Sequence, residues 1–219
     1  IVSRDWSSDV CSSDLGALAN VCAKIVMKIL FMARFYRYDL FFAVNYLARY
    51  LTKWSTACDK QLKRLVCYIY HTRDMVLESV VGDNLERCHL AVFSDADFAG
   101  DIKESKSTSG CFVAIVGPGT YAPVSAICKT QSCVSHSSTE SEIVALDFAL
   151  RSEGVPLLML LQSLCGEASG TDYADSRPDP RIDRNLSAKA HDKLGEGIPP
   201  KFNADRPQMI VFEDNEAVI

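Results

Sequence analysis

HLAVFSDADFAGD at 89–101 and SGCFVAIVGPGTYAPVSAICKTQS at 109–132 decide the fold. HLAVFSD is apolar without alternation and closes on acids, as a central strand buried on both faces does. SGCFVAIVG and PVSAICKTQS are two further strand-like runs. Between them GPGT (117–120) puts glycine and proline where a hairpin reverses. Residues 89–132 are therefore expected to form a three-stranded antiparallel meander.

Downstream, SSTESEIVALDFALRSEG (137–154) reads as a helix with hydroxyls at its start and an apolar stripe of Ile143, Leu146 and Leu150. Pro156 should kink or end it, with LLMLLQSLCG continuing as a helical stretch to Gly166. Residues 167–207 are rich in Asp, Pro, Gly, Arg and Lys and lack periodicity, which suits a long polar insert. QMIVFED (208–214) is a second short apolar run ending in acids. Three strands, a helix and a strand define an α/β domain. A helical crossover returns the chain parallel to an earlier strand, so the last strand is expected beside the first.

That arrangement gathers acids. Asp95 and Asp97 end the first strand, Glu213 and Asp214 the last, and Glu140 and Glu142 open the helix. Open α/β sheets place their sites at the carboxyl ends of strands. Three carboxylates in one small space repel one another and call for a hard cation, and Mg²⁺ prefers oxygen ligands. Two such ions about 4 Å apart can activate water and stabilise a leaving oxygen in phosphodiester hydrolysis. The plainer reading is that acids after strands are turn residues. Likewise Ser137 with Glu140, or Thr139 with Glu142, fits a capping box without any catalysis.

Upstream, Lys24 to Arg64 holds nine Lys or Arg and only two acids, Asp39 and Asp59. Leu40, Val44, Leu47 and Leu51 share one helical face, and Leu62, Leu65, Val66 and Ile69 another. They predict amphipathic helices over about 40–53 and 57–71. Their basic residues are either a solvated face or a surface for nucleic acid. The apolar run Ile25 to Phe35 contains Lys28 and Arg34 and is too short to span a bilayer, so no membrane association is expected. Residues 1–15, IVSRDWSSDVCSSDL, are polar and aperiodic. They resemble translated sequencing-adapter sequence and are read as no part of the fold.

A net charge of −5 means that any nucleic-acid binder here must localise its positive charge. The nine cysteines are odd in number and lack the two-residue spacing of a zinc knuckle, so idle or buried thiols are expected rather than disulfides or zinc.

Together these blocks resemble the Pol polyprotein of copia-type retrotransposons. SDADFAGD (94–101) with KSTSG (106–110), SSTESEIVAL (137–146) and FEDNEAVI (212–219) resemble that family's RNase H motifs in order. YDLFFAVNYLARYLTKW (38–54) and DKQLKRLVCYIYHTRD (59–74) resemble the segment joining its reverse transcriptase to its RNase H domain. The resemblance implies a helical reverse transcriptase–RNase H connection over 16–88. Over 89–219 it implies an RNase H-like mixed sheet, C-terminally truncated and interrupted by the insert 167–207. It implies hydrolysis of the RNA strand of RNA–DNA hybrids with Mg²⁺, or Mn²⁺ in its place, held by the catalytic residues Asp95, Glu142 and Asp214. Lys129, Gln131, Ser137 and Ser138 would touch the hybrid backbone. The partners would be the hybrid and the parent reverse transcriptase domain. The location would be the cytoplasm, in the element's virus-like particle, with the nucleus as an alternative. Phe98 and Ala126 replace family tryptophans, there is no YxDD-type polymerase motif, and the family's fourth carboxylate is missing. The alternative is a truncated, catalytically inactive transposon remnant that at most binds nucleic acid.

Overall fold

A computed structural model of the chain describes residues 14–101, 105–168 and 208–213. Most of the 1–15 stretch, nearly all of the 167–207 insert, and Asp214 lie outside the described residues.

Three helices come first: α1 (Cys22–Phe35), α2 (Phe41–Ala48) and α3 (Thr56–His71). Helix α2 is shorter than the sequence pattern predicts. The chain leaves it through i→i−3 turns, with Leu51 N–H on Ala48 O and Lys53 N–H on Tyr50 O. These turns carry Trp54 into the core, and Ser55 then caps α3 by accepting from Cys58 N–H. Leu40, Val44, Leu47, Leu62 and Leu65 are buried, but Val66 is exposed. The first core packs α1, α2 and α3 together, with Ala126 and Cys128 of the sheet against it.

The sheet is mixed. Strands β1 (His89–Asp101), β2 (Lys106–Gly117) and β3 (Thr120–Thr130) form the antiparallel meander, and β4 (Gln208–Phe212) lies parallel to β1. The order is β3-β2-β1-β4. Leu90, Ala91 and Val92 are completely buried, as a central strand requires. Pro123 sits on the edge strand β3 at a register shift, where a missing N–H breaks no interior ladder. Asp83 clamps the β2–β3 turn by accepting from Gly119 N–H and Thr120 Oγ.

Helix α4 (Ser138–Ala149) crosses β1 and β2. It packs on a face other than the predicted one. Ile143 is exposed at 51%, Leu146 and Leu150 are half-buried, and the buried residues are Ser141, Glu142, Ala145 and Ala149. Small side chains let the helix backbone approach the sheet closely, and that outweighs burying Ile143. The chain then widens into a π-helical turn, Leu150–Gly154, immediately before α5 (Val155–Ala168). Pro156 falls in the first turn of α5, where its missing N–H is tolerated, so it neither ends nor breaks the helical path. Ala149 and Leu161 close a second core against Leu90, Val92, Cys111 and Val113. On one face α1 and α2 pack against β3 at the edge of the sheet, and on the other α4 and α5 cover its centre.

Candidate functional site

The pleat of β1 sorts its side chains between these two layers. Leu90 and Val92 face α4 and α5. Ser94, two residues on, continues that row. Ala91 and Phe93 face the other way, and Phe93 stacks on Phe212 at 4.7 Å and meets Phe112 at 5.9 Å. Asp95 and Asp97 continue that second row. They line an open cleft of about 580 Å³ beneath α2, together with Tyr38, Phe41, Phe42 and Phe112. Partial burial pushes the Asp97 carboxyl up although the residue still meets solvent. The charge of Asp95 adds to the shift and Arg49 opposes it.

On the α4 side the strand ends carry a buried polar layer. Its members include Ser94, Ser109, Gln131, Ser135, Ser141 and Glu142, all under a tenth exposed. Ser94 Oγ donates to Glu213 Oε2 at 2.6 Å, continuing the register in which Phe93 faces Phe212. The other oxygen, Glu213 Oε1, is buried and accepts no hydrogen bond from any described residue.

Helix α4 is set by a cap that uses one of the two candidate glutamates. Ser137 Oγ accepts from Glu140 N–H at 3.1 Å, and Glu140 Oε2 reaches back to His136 N–H at 2.7 Å. Glu142, two residues on, is 7% exposed and lies on the same helix face as Ala145 and Ala149. Glu142 and Glu213 therefore lie on the α4 side of the sheet, and Asp95 on the α2 side. Asp214 is outside the described residues. Among the described residues no three His, Cys, Asp or Glu side chains form a metal-holding group. The donor types present, carboxylate and hydroxyl oxygens with one carboxylate oxygen left open in Glu213, suit a hard cation.

The residues expected to touch nucleic acid divide. Gln131 is 5% exposed. Its amide donates to Ser109 Oγ at 3.0 Å and to Ser141 O at 2.8 Å, and accepts from Ser135 Oγ at 3.2 Å. Both amide protons are used inside the protein, and Gln131 ties β3 to α4. Lys129 is exposed, with its ammonium 5.5 Å from the centre of the Phe148 ring. Ser137 and Ser138 are exposed, the first serving as the cap and the second accepting from Ser141 Oγ through its carbonyl. Glu213, adjoining Asp214, is a buried-side acid of this strand end that the expected ligand set does not include. Strict alternation from Met209, which packs beside Leu90 and Val92, would have placed it on the α4 side.

The eight cysteines among the described residues are free thiols. Burial pushes Cys111 up to about 12, which keeps that thiol protonated at neutral pH. None of the described helices is long and apolar enough to cross a membrane.

A mixed sheet layered between helices, with acids at the ends of its two parallel strands, is the class of domain seen here, and comparison with known proteins gives its ancestry. The chain is 36% identical over 108 residues to the Retrovirus-related Pol polyprotein from transposon RE2 of Arabidopsis thaliana, covering 49% of this chain and 7% of that protein. It is 33% identical over the same length to the corresponding polyprotein from transposon RE1, with the same coverage. It is 34% identical over 113 residues to Secreted RxLR effector protein 161 of Plasmopara viticola, covering 52% of this chain and 75% of that protein. The chain belongs to the family of Secreted RxLR effector protein 161, three quarters of which it covers, and its likeness to the two polyproteins supports a retrotransposon Pol origin. It spans only a small part of the two polyproteins. No family model matches it, and no solved structure matches it.

Proposed function

We propose that this chain carries the RNase H-like domain of a copia-type Pol polyprotein and that the domain hydrolyses the RNA strand of RNA–DNA hybrids. The observation that carries the reading is the parallel pairing of β4 with β1, in register from His89↔Gln208 to Phe93↔Phe212. It sets the ends of two acid-terminated strands side by side near the first turns of α4, where Glu142 is buried. The order of the sequence motifs supports the same reading.

Asp95, Glu142 and Asp214 are the proposed ligands of Mg²⁺, with Mn²⁺ as its substitute. When bound, the metal supplies water activation and stabilisation of the leaving oxygen. The chain's own groups do the positioning. Ser94 fixes the Glu213 carboxylate, and the Ser137–Glu140 cap fixes the helix that bears Glu142. Lys129 places a cation on the β3 edge, within reach of a phosphate. The hybrid and the parent reverse transcriptase domain are the proposed partners.

The test is cleavage of a hybrid with labelled RNA in Mg²⁺ or Mn²⁺. RNA fragments that disappear with Asp95→Asn and with Glu142→Gln support the proposal. Intact hybrid after prolonged incubation with folded wild-type chain overturns it for this polypeptide. A second reading, a Pol-derived domain without nuclease activity, is favoured by one observation: Asp95 projects toward α2, on the face of the sheet away from Glu142.

A further inference from the structure

We propose that the outward face of α3, bearing Lys60, Lys63 and Arg64, docks the phosphate backbone of a nucleic acid, away from the strand-end site. Helix α3 buries Ala57, Cys58, Gln61, Leu62 and Leu65, so its three cations are all turned to solvent. None of the three forms an ion pair with a described residue. The acid in this helix, Asp59, is turned inward, accepting from Ala17 N–H, Leu18 N–H and Trp54 Nε1–H. Asp39, the other acid between Lys24 and Arg64, is held by Arg37 in a two-point pair. The three cations of α3 therefore face water and outnumber the one carboxylate of their own helix, in a chain of net charge −5. A surface kept basic within an acidic protein is the electrostatic footprint of a polyanion partner.

The far end of the same helix adds a base-stacking element. Tyr70 is 63% exposed, with Arg73 5.2 Å over its ring and His71 edge-on at 5.6 Å. An exposed aromatic beside Arg73, whose guanidinium also lies 3.7 Å from Asp74, suits nucleic acid better than an acidic protein, because a base stacks on the ring while the backbone meets the lysines and arginine of α3. Lys60 and Arg64 are separated by about 6 Å along the axis, close to two steps of the roughly 3.4 Å rise of one strand. The inference rests on nucleic acid being this chain's partner but not on cleavage, so binding is measured in EDTA.

The experiment is fluorescence anisotropy of a labelled RNA–DNA hybrid with the 219-residue chain over a salt series. The variants are K60A/K63A/R64A and, as an equal change of net charge on α1, K24A/K28A/R34A. The α3 variant should bind more weakly and its slope of log K against log salt should fall by about 3, near one unit per lost phosphate contact. The charge-preserving K60R/K63R/R64K should bind like wild type, which separates charge from fold, and circular dichroism checks each variant. Equal losses in the α1 and α3 variants would mean that only net charge matters and would overturn the proposal. So would an unchanged slope in the α3 variant, no binding by wild type, or equally tight binding of polyglutamate. Cleavage in Mg²⁺ with normal binding by the α3 variant would sink this surface and leave the nuclease reading standing.

Discussion

Replacing Gln131 by methionine keeps the side chain's length and volume and removes its hydrogen-bonding groups. In wild type the amide makes three bonds inside the protein, to Ser109, Ser135 and Ser141, at a site only 5% exposed. A buried neutral hydrogen bond contributes about 1 kcal/mol net, so the loss should be about 3 kcal/mol, with the three deserted partners keeping it from being smaller. For a domain of this size about 1 kcal/mol moves the melting temperature by roughly 2–4 °C, so the midpoint should fall by about 6–12 °C. Urea unfolding followed by circular dichroism should show a lower midpoint at unchanged slope. A surface glutamine that served only to touch nucleic acid would behave oppositely: stability within about 0.5 kcal/mol of wild type and weaker hybrid binding. That outcome would refute the structural role and restore Gln131 to the nucleic-acid interface. Gln131→Ala should cost more than Gln131→Met because it adds a cavity.

Asp97→Asn should stabilise the protein at neutral pH. The folded-state pKa of Asp97 is raised above 3.8 by burial and by Asp95. The folded state therefore binds this proton more tightly than the unfolded state, and ionisation opposes folding above the raised value. The gain from asparagine should be fully present at pH 7, fade as pH falls through the raised pKa, and vanish below 3.8. Solvent screening at this exposed carboxylate keeps the gain under about 1 kcal/mol. Destabilisation at pH 7, or a gain independent of pH, would contradict the assigned causes. Ala99 lies in the left-handed region at φ 50°, in the irregular end of β1. Glycine there should raise stability by about 1 kcal/mol, read by thermal melting. No gain would mean that the conformation carries no strain.

The meander and the parallel fourth strand are legible in the sequence because each depends on short-range signals. Unbroken apolar runs mark β1 and β4, and GPGT marks the reversal between β2 and β3. The upstream helices are legible from periodicity, but the end of α2 is not. Leu51 continues the apolar spacing while the backbone has already tightened into turns, so the side-chain pattern outruns the helix. Packing on α4 is illegible for a different reason. Counting large apolar residues selects Ile143, yet the interface needs closeness more than bulk, and alanines that score weakly as core form the contact.

The site is legible only as far as local chemistry reaches. Two glutamates open α4, and a capping rule alone could assign either of them to the cap. The bond from Glu140 N–H to Ser137 Oγ and the bond from His136 N–H to the Glu140 carboxylate resolve it, leaving Glu142 on the buried face. The acids of β1 and β4 need a rule of longer range, the pleat. Phe93 facing Phe212 fixes which neighbours share a side, so Ser94 meets Glu213 while Asp95 turns toward Phe41 and Phe42. Acids counted along the chain look equivalent, but a shift of one residue on a strand carries a carboxylate to the opposite layer. Catalysis by Asp95 with Glu142 therefore requires the metal to be reached around the end of β1 rather than across one face. For that reason paired substitutions at Asp95 and Glu142 probe the nuclease reading more sharply than either acid alone: residues acting on one metal site lose activity non-additively, whereas residues working in separate layers lose it additively.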